Sequence, residues 1–298
     1  MGFRSEIAVA AQAACLLEAS APKPGNVNRC HDFEDATFED FLLSAAAIGP
    51  VLGRAGSVGV GRTILRAVRA TRRLVRTNTN LGIILLLAPL ARAAARAGGP
   101  LRSRVSQVLA ELDVADARAA YAAIRLADPG GLGRVADQDI RTEPTVSLRE
   151  AMALAAERDT IAREYVTDYA VTFETGVPAL TRARDRGLAW PTAVTETYLT
   201  LLAAVPDTLI ARKCGEEAAR EVSREAARVL AAGEPASAER REALARFDAA
   251  LRREGNRLNP GTTADLTAAA LFVHFLEQST GAARPPHGGP RWPRTTSS

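Results

Sequence analysis

A helical repeat of apolar residues extends through nearly the whole chain and restricts the folds open to it. Twelve segments place apolar residues at helix spacing, at 4–19, 38–52, 59–75, 80–97, 101–110, 113–127, 147–157, 159–185, 193–210, 214–232, 238–253 and 263–279. No segment shows sustained period-2 alternation, the pattern of a half-buried strand. Alanine, the strongest helix former, is abundant, whereas aromatic residues, which strands favour, make up 5%. The sequence therefore predicts an all-α protein.

Short breaks rich in glycine and proline separate these segments, at 97–100, 128–133, 187–191 and 231–238. None of them is a long linker, so we predict one compact multi-helix domain over residues 1–280. The final stretch, 281–298, is rich in proline, glycine and arginine, and we predict that it is disordered.

Features that the chain lacks exclude several classes of protein. No uncharged apolar run reaches the roughly 18 residues of a membrane span, and the N-terminal stretch lacks the basic segment of a secretory signal. Cys15, Cys30 and Cys214 are odd in number and widely spaced, which is typical of reduced thiols. Common nucleotide-binding and hydrolase motifs are absent. We expect a cytoplasmic protein with no membrane partner.

Asparagine is rare in this chain but strongly clustered. It occurs in three pairs, within "PGNVNR" at 24–29, "TNTNLG" at 77–82 and "GNRLNPG" at 255–261. Amide side chains both donate and accept hydrogen bonds, which suits ribose hydroxyls and phosphate oxygens. The alternative is that these residues occupy caps and turns. We predict that the pairs converge on one polar pocket, with Asn26, Asn28, Asn78, Asn80, Asn256 and Asn259 around it.

Two further patterns accompany these pairs. "NPGTTADL" at 259–266 places a turn before an apolar helix, whose N-terminus offers free N–H groups to a phosphate. Asp265, in the first turn of that helix, is either a functional carboxylate or a helix-start acid. "RDTIAREY" at 158–165 and "PDTLIARKCG" at 206–215 echo each other, which fits an exposed ion pair or a duplicated half-site.

The basic residues are almost all arginines. The net charge is +4, and only Lys23 and Lys213 are lysines among 38 basic residues. A lysine retained in such a chain indicates a position where the planar guanidinium does not fit. The arginine-rich helix at 62–76 fits a solvated face, a site for phosphorylated small molecules or a nucleic-acid surface. The interleaved aromatics of a nucleic-acid binder are missing, so we expect no such partner.

At these residues the chain resembles the triphosphoribosyl-dephospho-CoA synthase family. "PKPGNVNR" resembles the family's P-K-P-G-L-V-D stretch, and "FLLSAAAIGP" is similar to the helix that follows it. "TNTNLGIILLLAPLA" is similar to a block beginning V-N-T-H-K-G, with Asn78, Thr79 and Gly82 kept. "PDTLIARKCG" and "LNPGTTADLTA" resemble a D-T-rich block and the S-P-G-G-S-A-D-L-L block. The five blocks occur in order between Glu18 and Glu277.

The resemblance implies an all-helical pentosyltransferase. Such a glycosyltransferase breaks the bond between ribose C1′ and adenine in ATP and moves the triphosphoribosyl group to a hydroxyl of dephospho-CoA. The transfer passes through an oxocarbenium-like state, which calls for an anion and a base. Asp207 and Asp265 are the predicted catalytic carboxylates, and Mg²⁺ is expected with the donor. The predicted substrate-binding residues are Lys23 and Lys213 on phosphate, Asn26, Asn28, Asn78 and Asn80 on sugar hydroxyls, and Gly25, Arg212, Asn256, Asn259, Gly261, Thr262 and Thr263.

Lys23 is predicted to contact a phosphate of the donor. Pro22 and Pro24 restrict the backbone on both sides of it, and Gly25 allows close approach of a ligand. The alternative is a solvated loop lysine beside prolines that end the first helix.

The chain also departs from the family pattern. Asn80-Leu81 replaces His-Lys, Asn28 replaces an aspartate, and Thr262-Thr263 alters the Gly-Gly-Ser turn. We therefore expect the reaction type to be kept with a changed donor or acceptor. Phosphoribosyl diphosphate is one candidate donor, and a ribitol-bearing acceptor, as in tetrahydromethanopterin biosynthesis, is one candidate acceptor. A non-catalytic relative that only binds a nucleotide or cofactor is the remaining alternative.

Overall fold

A computed structural model describes residues 3–128 and 138–279. Within these ranges every regular element is helical, and one isolated bridge joins Asn28 to His31. The helices are α1 (Phe3–Ser20), α2 (Phe38–Leu52), α3 (Val60–Arg72), α4 (Leu81–Ala94), α5 (Leu101–Ala110), α6 (Val114–Ala127), α7 (Leu148–Ala153), α8 (Thr160–Val166), α9 (Val177–Asp185), α10 (Trp190–Ala204), α11 (Thr208–Cys214), α12 (Glu216–Ala231), α13 (Ala238–Leu251), α14 (Arg253–Asn256) and α15 (Gly261–Ser279). The predicted all-α fold in one compact domain is confirmed. The predicted disorder of 281–298 concerns residues outside the described ranges.

Serine, threonine and aspartate start many of these helices. Three helices begin with reciprocal capping boxes, formed by Thr37 and Asp40, Asp113 and Asp116, and Ser147 and Glu150. The side chains of Asp159, Asp207 and Ser237 cap three more. Asn80 precedes α4 without making such a bond. Most helix starts in the described residues are therefore encoded by residues other than asparagine.

Helix α4 lies at the centre of the main hydrophobic core. Twelve of its 14 residues are buried, and it packs against α1, α2, α3, α5, α8 and α15. A second apolar cluster lies between α10, α11, α12 and α13. Helices α10 and α15 contribute to both clusters, so they join the two halves of the domain.

Two helices contain an internal proline, and in both cases a side chain replaces the lost hydrogen bond. Proline has no N–H group, so it leaves the carbonyl four residues earlier without its helical donor. In α4, Pro89 frees the carbonyl of Leu85, which accepts a bond of 2.7 Å from the hydroxyl of Tyr165. In α2, Pro50 frees the carbonyl of Ala46, which accepts a bond of 3.1 Å from Gln12 Nε2. Both carbonyls, the buried one of Leu85 and the exposed one of Ala46, thus keep a partner.

The predicted single helix over 159–185 is wrong, because the chain breaks after α8. Asp168 and Tyr169 adopt left-handed backbone angles, with φ of 52° and 59°. Glu164, which is fully buried, accepts hydrogen bonds from the backbone N–H and the hydroxyl of Thr172. This carboxylate satisfies backbone donors that a helix break leaves free, and it thereby stabilises the break.

The predicted helix over 193–210 is also interrupted. Helix α10 ends at Ala204 and α11 starts at Thr208. Pro206 cannot donate within a helix, and Asp207 caps the new one. The break brings the start of α11 to the surface of a cavity described below.

Two predictions about the whole chain can be compared with the structure. None of the helices in the described ranges is both long and apolar enough to cross a membrane. Cys15, Cys30 and Cys214 are all free, as the sequence predicted.

Substituting Tyr165 by phenylalanine tests the proline compensation in α4. Tyr165→Phe leaves the carbonyl of Leu85 without a donor, and we expect it to lower the free energy of unfolding by about 1–3 kcal/mol. Tyr169→Phe is the matched control. Its hydroxyl bonds to the carbonyl of Leu86 at 2.8 Å, but α4 can supply that carbonyl with the N–H group of Leu90. Urea unfolding that shows equal losses for both variants would contradict the compensation.

Candidate active site

A cavity of about 1510 Å³ lies where the N-terminal ends of α4, α8, α11 and α15 meet. Its wall includes residues from all five sequence blocks that carry the family resemblance. Representative lining residues are Asn26, Phe41, Asn80, Thr208 and Asp265. Segments far apart in the sequence therefore form one surface.

The three asparagine pairs each contribute to this cavity. Asn26, Asn78, Asn80 and Asn259 line it. Asn26 Nδ2 donates to the hydroxyl of Tyr198 at 2.8 Å, while Asn78 Oδ1 accepts the N–H group of Leu81 at 3.1 Å. One or both members of each pair thus line the same cavity, four of the six asparagines that the clustering predicted to converge.

The individual asparagines differ in how they are bonded. Asn80 Nδ2 donates to Thr71 Oγ1 at 3.1 Å. Asn259 is buried, and its Oδ1 has no hydrogen-bond partner. Asn28 does not line the cavity, because its amide bonds to the carbonyl of Asn26 and to the N–H group of Cys30. Asn28 thus has the turn role that was the alternative for these residues. The side chain of Asn256 falls outside what the structure describes.

Gly25 serves a contact within the protein, in place of the predicted close approach by a ligand. Its φ is +72°, a conformation that favours glycine. Its N–H group donates to Asp248 Oδ1 at 2.8 Å, and a Cβ atom there would lie 2.9 Å from the Cβ atom of Leu251. The glycine therefore allows this loop to pack on α13.

Lys23 does not line the cavity, and its ammonium group pairs with Glu18. The side chain is 1% exposed, and Nζ lies 3.0 Å from Glu18 Oε1. Nζ also donates to the backbone carbonyl of Glu18, in the last turn of α1. The loop between the two prolines thus carries a buried lysine, where the sequence predicted a phosphate contact.

Asp207 joins two helix N-termini. Its Oδ1 accepts the N–H groups of Leu209 and Ile210 in α11, at 2.9 and 3.1 Å. Its Oδ2 accepts the N–H group and the hydroxyl of Thr263 in α15, at 2.7 and 2.8 Å. The N-terminus of α15, which was predicted to bind a phosphate, is therefore bound to an internal carboxylate. Burial raises the pKa of Asp207, and these hydrogen bonds oppose the shift.

Asp265 is the predicted carboxylate that reaches the cavity. It is half-buried and lies against Gly82, where a Cβ atom would stand 2.0 Å from Asp265 Oδ2. No ion pair in the described part of the chain includes it. Burial, together with the negative charges of Glu18, Asp207 and Asp159, raises the pKa of Asp265 well above its usual range. A carboxylate without a cation partner is thereby held close to other acids.

Glu18 is a functional candidate that the sequence reasoning missed. It is 3% exposed, lines the cavity and lies close enough to Asp265 for their charges to interact. A signal existed, since Glu18 interrupts the apolar end of an alanine-rich helix five residues before a rare lysine.

The echoed Asp-Thr segments form two similar helix starts that face each other. Asp159 caps α8 as Asp207 caps α11. Thr208 Oγ1 accepts the N–H group of Thr160 at 3.2 Å and lies 3.2 Å from Thr262 Oγ1. The side chain of Thr160 is buried, and its hydroxyl has no partner. The echo is therefore not an exposed pair, because both aspartates act as N-caps at the cavity.

Basic side chains also surround the cavity. Those that line it without forming an ion pair in the described residues are Arg72, Arg76, Arg158, Arg163 and Lys213. Arg212 lines it as well, with Nη1 3.9 Å from Asp159 Oδ2. All except Arg163 are exposed, whereas Glu18 is buried. The exposed mouth thus carries these basic side chains together with exposed carboxylates such as Glu34, Asp35 and Glu157, and the floor, which we define as Glu18 and Asp265, carries carboxylates. We call the basic side chains without an ion pair the basic mouth.

Comparison with known proteins assigns this chain to a family. The family model for ATP:dephospho-CoA triphosphoribosyl transferase matches residues 4–284. The chain belongs to this family.

Individual relatives agree with this assignment. The chain is similar to 2-(5''-triphosphoribosyl)-3'-dephosphocoenzyme-A synthase of Klebsiella pneumoniae, with 28% identity over 279 residues, 87% of this chain and 91% of that protein. A Pseudomonas savastanoi pv. phaseolicola protein assigned the same name is 27% identical over 296 residues, with 90% of each chain covered. The crystal structure of an Archaeoglobus fulgidus protein assigned as a triphosphoribosyl-dephospho-CoA synthase matches with a TM-score of 0.62 and 30% identity, over 79% of this chain and 98% of that one. The prediction of a transferase enzyme is confirmed.

The departures from the family pattern can now be located in this transferase. Asn80, in place of histidine, and Leu81, in place of lysine, both line the cavity at the start of α4. Thr262 contacts Thr208, and Thr263 holds Asp207. The altered turn therefore takes part in joining α11 to α15.

The two aspartates are predicted to differ in their effect on stability. In Asp207→Asn, an NH₂ group replaces one of the two carboxylate oxygens. The buried N–H donors on that side then face another donor and lose their acceptor. We expect the free energy of unfolding to fall by about 1–3 kcal/mol, because four hydrogen bonds outweigh the relief of a buried charge. Asp265→Asn is the matched control, because a single backbone hydrogen bond, from the N–H group of Ile83, opposes the rise in the pKa of Asp265, whereas Asp207 accepts four hydrogen bonds. It should leave stability at pH 7 unchanged or higher.

The effect of Asp265→Asn on stability should depend on pH, because the pKa of Asp265 is raised in the folded wild-type protein. The folded protein holds the Asp265 proton more tightly than the unfolded chain does, so the ionised carboxylate destabilises the fold above about pH 4. This destabilisation grows until the pH passes the raised pKa. The melting temperature of Asp265→Asn minus that of wild type should therefore be near zero at about pH 3 and increase as the pH rises. A difference that shrinks as pH rises would contradict the placement of Asp265.

Proposed function

We propose that this transferase moves the triphosphoribosyl group of ATP to a hydroxyl group of dephospho-CoA within the cavity. The observation that carries the proposal is one cavity that combines basic side chains without an ion pair at its mouth with the carboxylates of Glu18 and Asp265 at its floor. Phosphate groups require the basic side chains, and a positively charged ribosyl centre requires the carboxylates. The names of the relatives support the same donor and acceptor.

The size of the cavity supports binding of two large substrates. Single small-molecule sites span about 300–1,000 Å³. The volume here, about 1510 Å³, exceeds that range. Apolar side chains of Ile124, Leu148 and Met152 line one part of the wall, in addition to the polar residues at the helix starts. A nucleotide and an acceptor with an extended arm can therefore lie side by side.

The floor carboxylates support the chemistry of the transfer. The bond between C1′ and adenine breaks with its electron pair remaining on adenine, which takes up a proton from solvent and leaves as neutral adenine, and the acceptor oxygen forms a new bond to C1′. The proton of the acceptor hydroxyl passes to a base, for which Asp265 is positioned at the cavity wall. Because its pKa is raised, Asp265 is a stronger base than an ordinary aspartate.

The basic mouth supports binding of the triphosphate. Arg158, Arg163 and Lys213 come from α11 and from the region where α8 begins, beside the buried hydroxyl of Thr160. Charged groups of this kind form short, strong hydrogen bonds to phosphate oxygens. The triphosphate would then lie across the starts of α8 and α11, with the ribose directed towards the floor.

The residues that line the cavity are compatible with Mg²⁺ bound to the triphosphate. The described ranges contain no group of three or more histidine, cysteine or carboxylate side chains that could hold a metal ion. Mg²⁺ bound to substrate phosphates needs only about one or two protein carboxylates. Glu157, an exposed carboxylate of the cavity wall near the start of α8, fits this limited requirement and leaves Asp265 as the base. The ion would supply neutralisation of phosphate charge.

The other readings of the sequence have less support. The relatives reported above name neither phosphoribosyl diphosphate as donor nor a ribitol-bearing acceptor. A protein that only binds a nucleotide has no need of Asp265 beside other acids at the cavity floor. Arg72 and Arg76 of the arginine-rich segment line the cavity, which favours a small phosphorylated ligand over nucleic acid. A cytoplasmic location stays a prediction.

Release of adenine is the direct test of the proposed function. Purified protein with ATP, Mg²⁺ and dephospho-CoA should release adenine and yield a product heavier by the triphosphoribosyl group, as measured by liquid chromatography and mass spectrometry. Release that requires a different acceptor would reject dephospho-CoA. Pyrophosphate release from phosphoribosyl diphosphate in place of adenine release would reject ATP as donor.

Asp265→Asn should lower kcat about 10²–10⁴-fold, because the base for the acceptor hydroxyl is lost. The acid limb of the wild-type kcat/KM profile should lie well above the usual aspartate pKa of about 4, since the ionised form is required and its pKa is raised. Glu216→Gln is the control, because Glu216 also lines the cavity but is exposed and paired with Arg220. Loss of activity in both variants to the same extent would contradict the role of Asp265.

Lys213→Ala should raise KM for ATP about tenfold, as one charge-assisted contact is lost. The increase should be smaller at high salt, since exposed charges are screened. Arg224→Ala is the control, because Arg224 is paired with Glu217 and Glu221 on α12 and does not line the cavity. Steady-state kinetics in which both variants behave alike would remove Lys213 from the triphosphate site.

A further inference from the structure

We infer that Glu18 is a second catalytic residue of this site, the anion that faces the transferred ribosyl group, and that Lys23 is a positioning residue that keeps Glu18 ionised. The inference rests on the proposed transfer reaction, and it concerns a residue outside the sequence motifs.

Glu18 contributes to the cavity wall and has few partners for its carboxylate. Glu18 is in the last turn of α1 and lines the cavity although it is almost completely buried. In the described residues its carboxylate has one partner, Lys23, at 3.0 Å from Oε1. A buried acid that contributes to a cavity wall with so few partners is available to a ligand.

Lys23 is fixed by two bonds to the same residue. Its Nζ donates to the backbone carbonyl of Glu18, one of the last carbonyls of α1 that have no helical donor. It also pairs with the carboxylate of Glu18. Pro22 and Pro24 restrict the loop that carries it. Three donors on one compact nitrogen can serve a carbonyl and a carboxylate together, which explains a lysine here in a chain whose basic residues are almost all arginines.

The two floor carboxylates differ in their surroundings. Glu18 has a buried cation beside it, whereas Asp265 has none. The titratable groups whose charges act on or from Glu18 are Cys15 of α1, Lys23, Tyr198 of α10 and Asp265 of α15. Burial raises the pKa of Glu18, and Lys23 opposes this shift. Burial also raises the pKa of Cys15 and Tyr198, which stay neutral.

This difference divides the chemistry between the two acids. Glu18, paired with the ammonium group of Lys23, is the acid that stabilises the positive charge that develops at C1′ when the bond to adenine breaks. It forms no covalent bond and takes no proton. Asp265 accepts the proton of the acceptor hydroxyl as the oxygen bonds to C1′. Pairs of carboxylates with distinct environments divide roles in this way in other transfers at sugar carbons.

The test compares Glu18→Gln, Lys23→Met and the double variant. Glu18→Gln should lower kcat at least about 100-fold, with the dissociation constant of ATP, measured by calorimetry, within about threefold of wild type. Lys23→Met should lower the melting temperature, because it leaves a buried carboxylate without its cation. It should also move the acid limb of the kcat profile to higher pH. The double variant removes both charges and should regain most of the melting temperature while staying as inactive as Glu18→Gln.

The outcomes separate a catalytic role from a structural one. If the double variant regains activity together with stability, or if Glu18→Gln keeps kcat within about threefold, Glu18 has no role in the transfer. An unchanged acid limb in Lys23→Met would reject the positioning role of Lys23. Wild-type protein that releases no adenine from ATP and dephospho-CoA would reject the proposed reaction itself, and with it this inference. Active wild type with active Glu18→Gln would reject the inference alone.

Discussion

The burial of α4 is the constraint on which the rest of the structure depends. This helix is enclosed on nearly every side and yet contains Pro89, which frees a carbonyl in the core. The hydroxyl of Tyr165 satisfies that carbonyl, and this bond fixes α8 against α4. Because α8 is held there, Thr160 and Asp159 at its start reach the same cavity as Asn80 at the start of α4. One compensated proline thus links the packing of the core to the position of the site.

The close approach of α4 and α15 determines what the floor of the cavity contains. Only glycine fits at position 82, because any Cβ atom would overlap Asp265 Oδ2. The aspartate is thereby held beside Glu18, without a basic partner of its own. Two acids in one enclosed site destabilise the fold when both are ionised. Arrangements that cost stability are concentrated at functional sites, so this placement is itself an argument for chemistry at the floor.

The sequence predicted the fold class and the convergence of the asparagine pairs, because helical periodicity and ordered motifs are local signals. It did not predict the break after α8, since the hydrogen bonds from Thr172 to buried Glu164 exist only in the folded chain. Asp207 caps α11, whereas Asp265, which the sequence had placed in the first turn of α15, lies beyond that turn, and the sequence assigned both the same role. Tertiary contacts separate them, with Thr263 on the first and Gly82 on the second. Lys23 was misjudged because burial cannot be read from its flanking prolines.

The replacements at the start of α4 bear on how the donor lies in the proposed site. Asn80 bonds to Thr71 and Leu81 is buried, so these two positions offer no cation where the family pattern has histidine and lysine, although Arg72 and Arg76 line the cavity nearby. The unpaired cations Arg163 and Lys213 belong to α8 and α11. Phosphates bind where cations are available, and the ribosyl carbon requires the anions Glu18 and Asp265. In the proposed reaction the donor would therefore span the cavity from α8 and α11 to the floor between α1 and α15, which would leave the apolar wall for the acceptor.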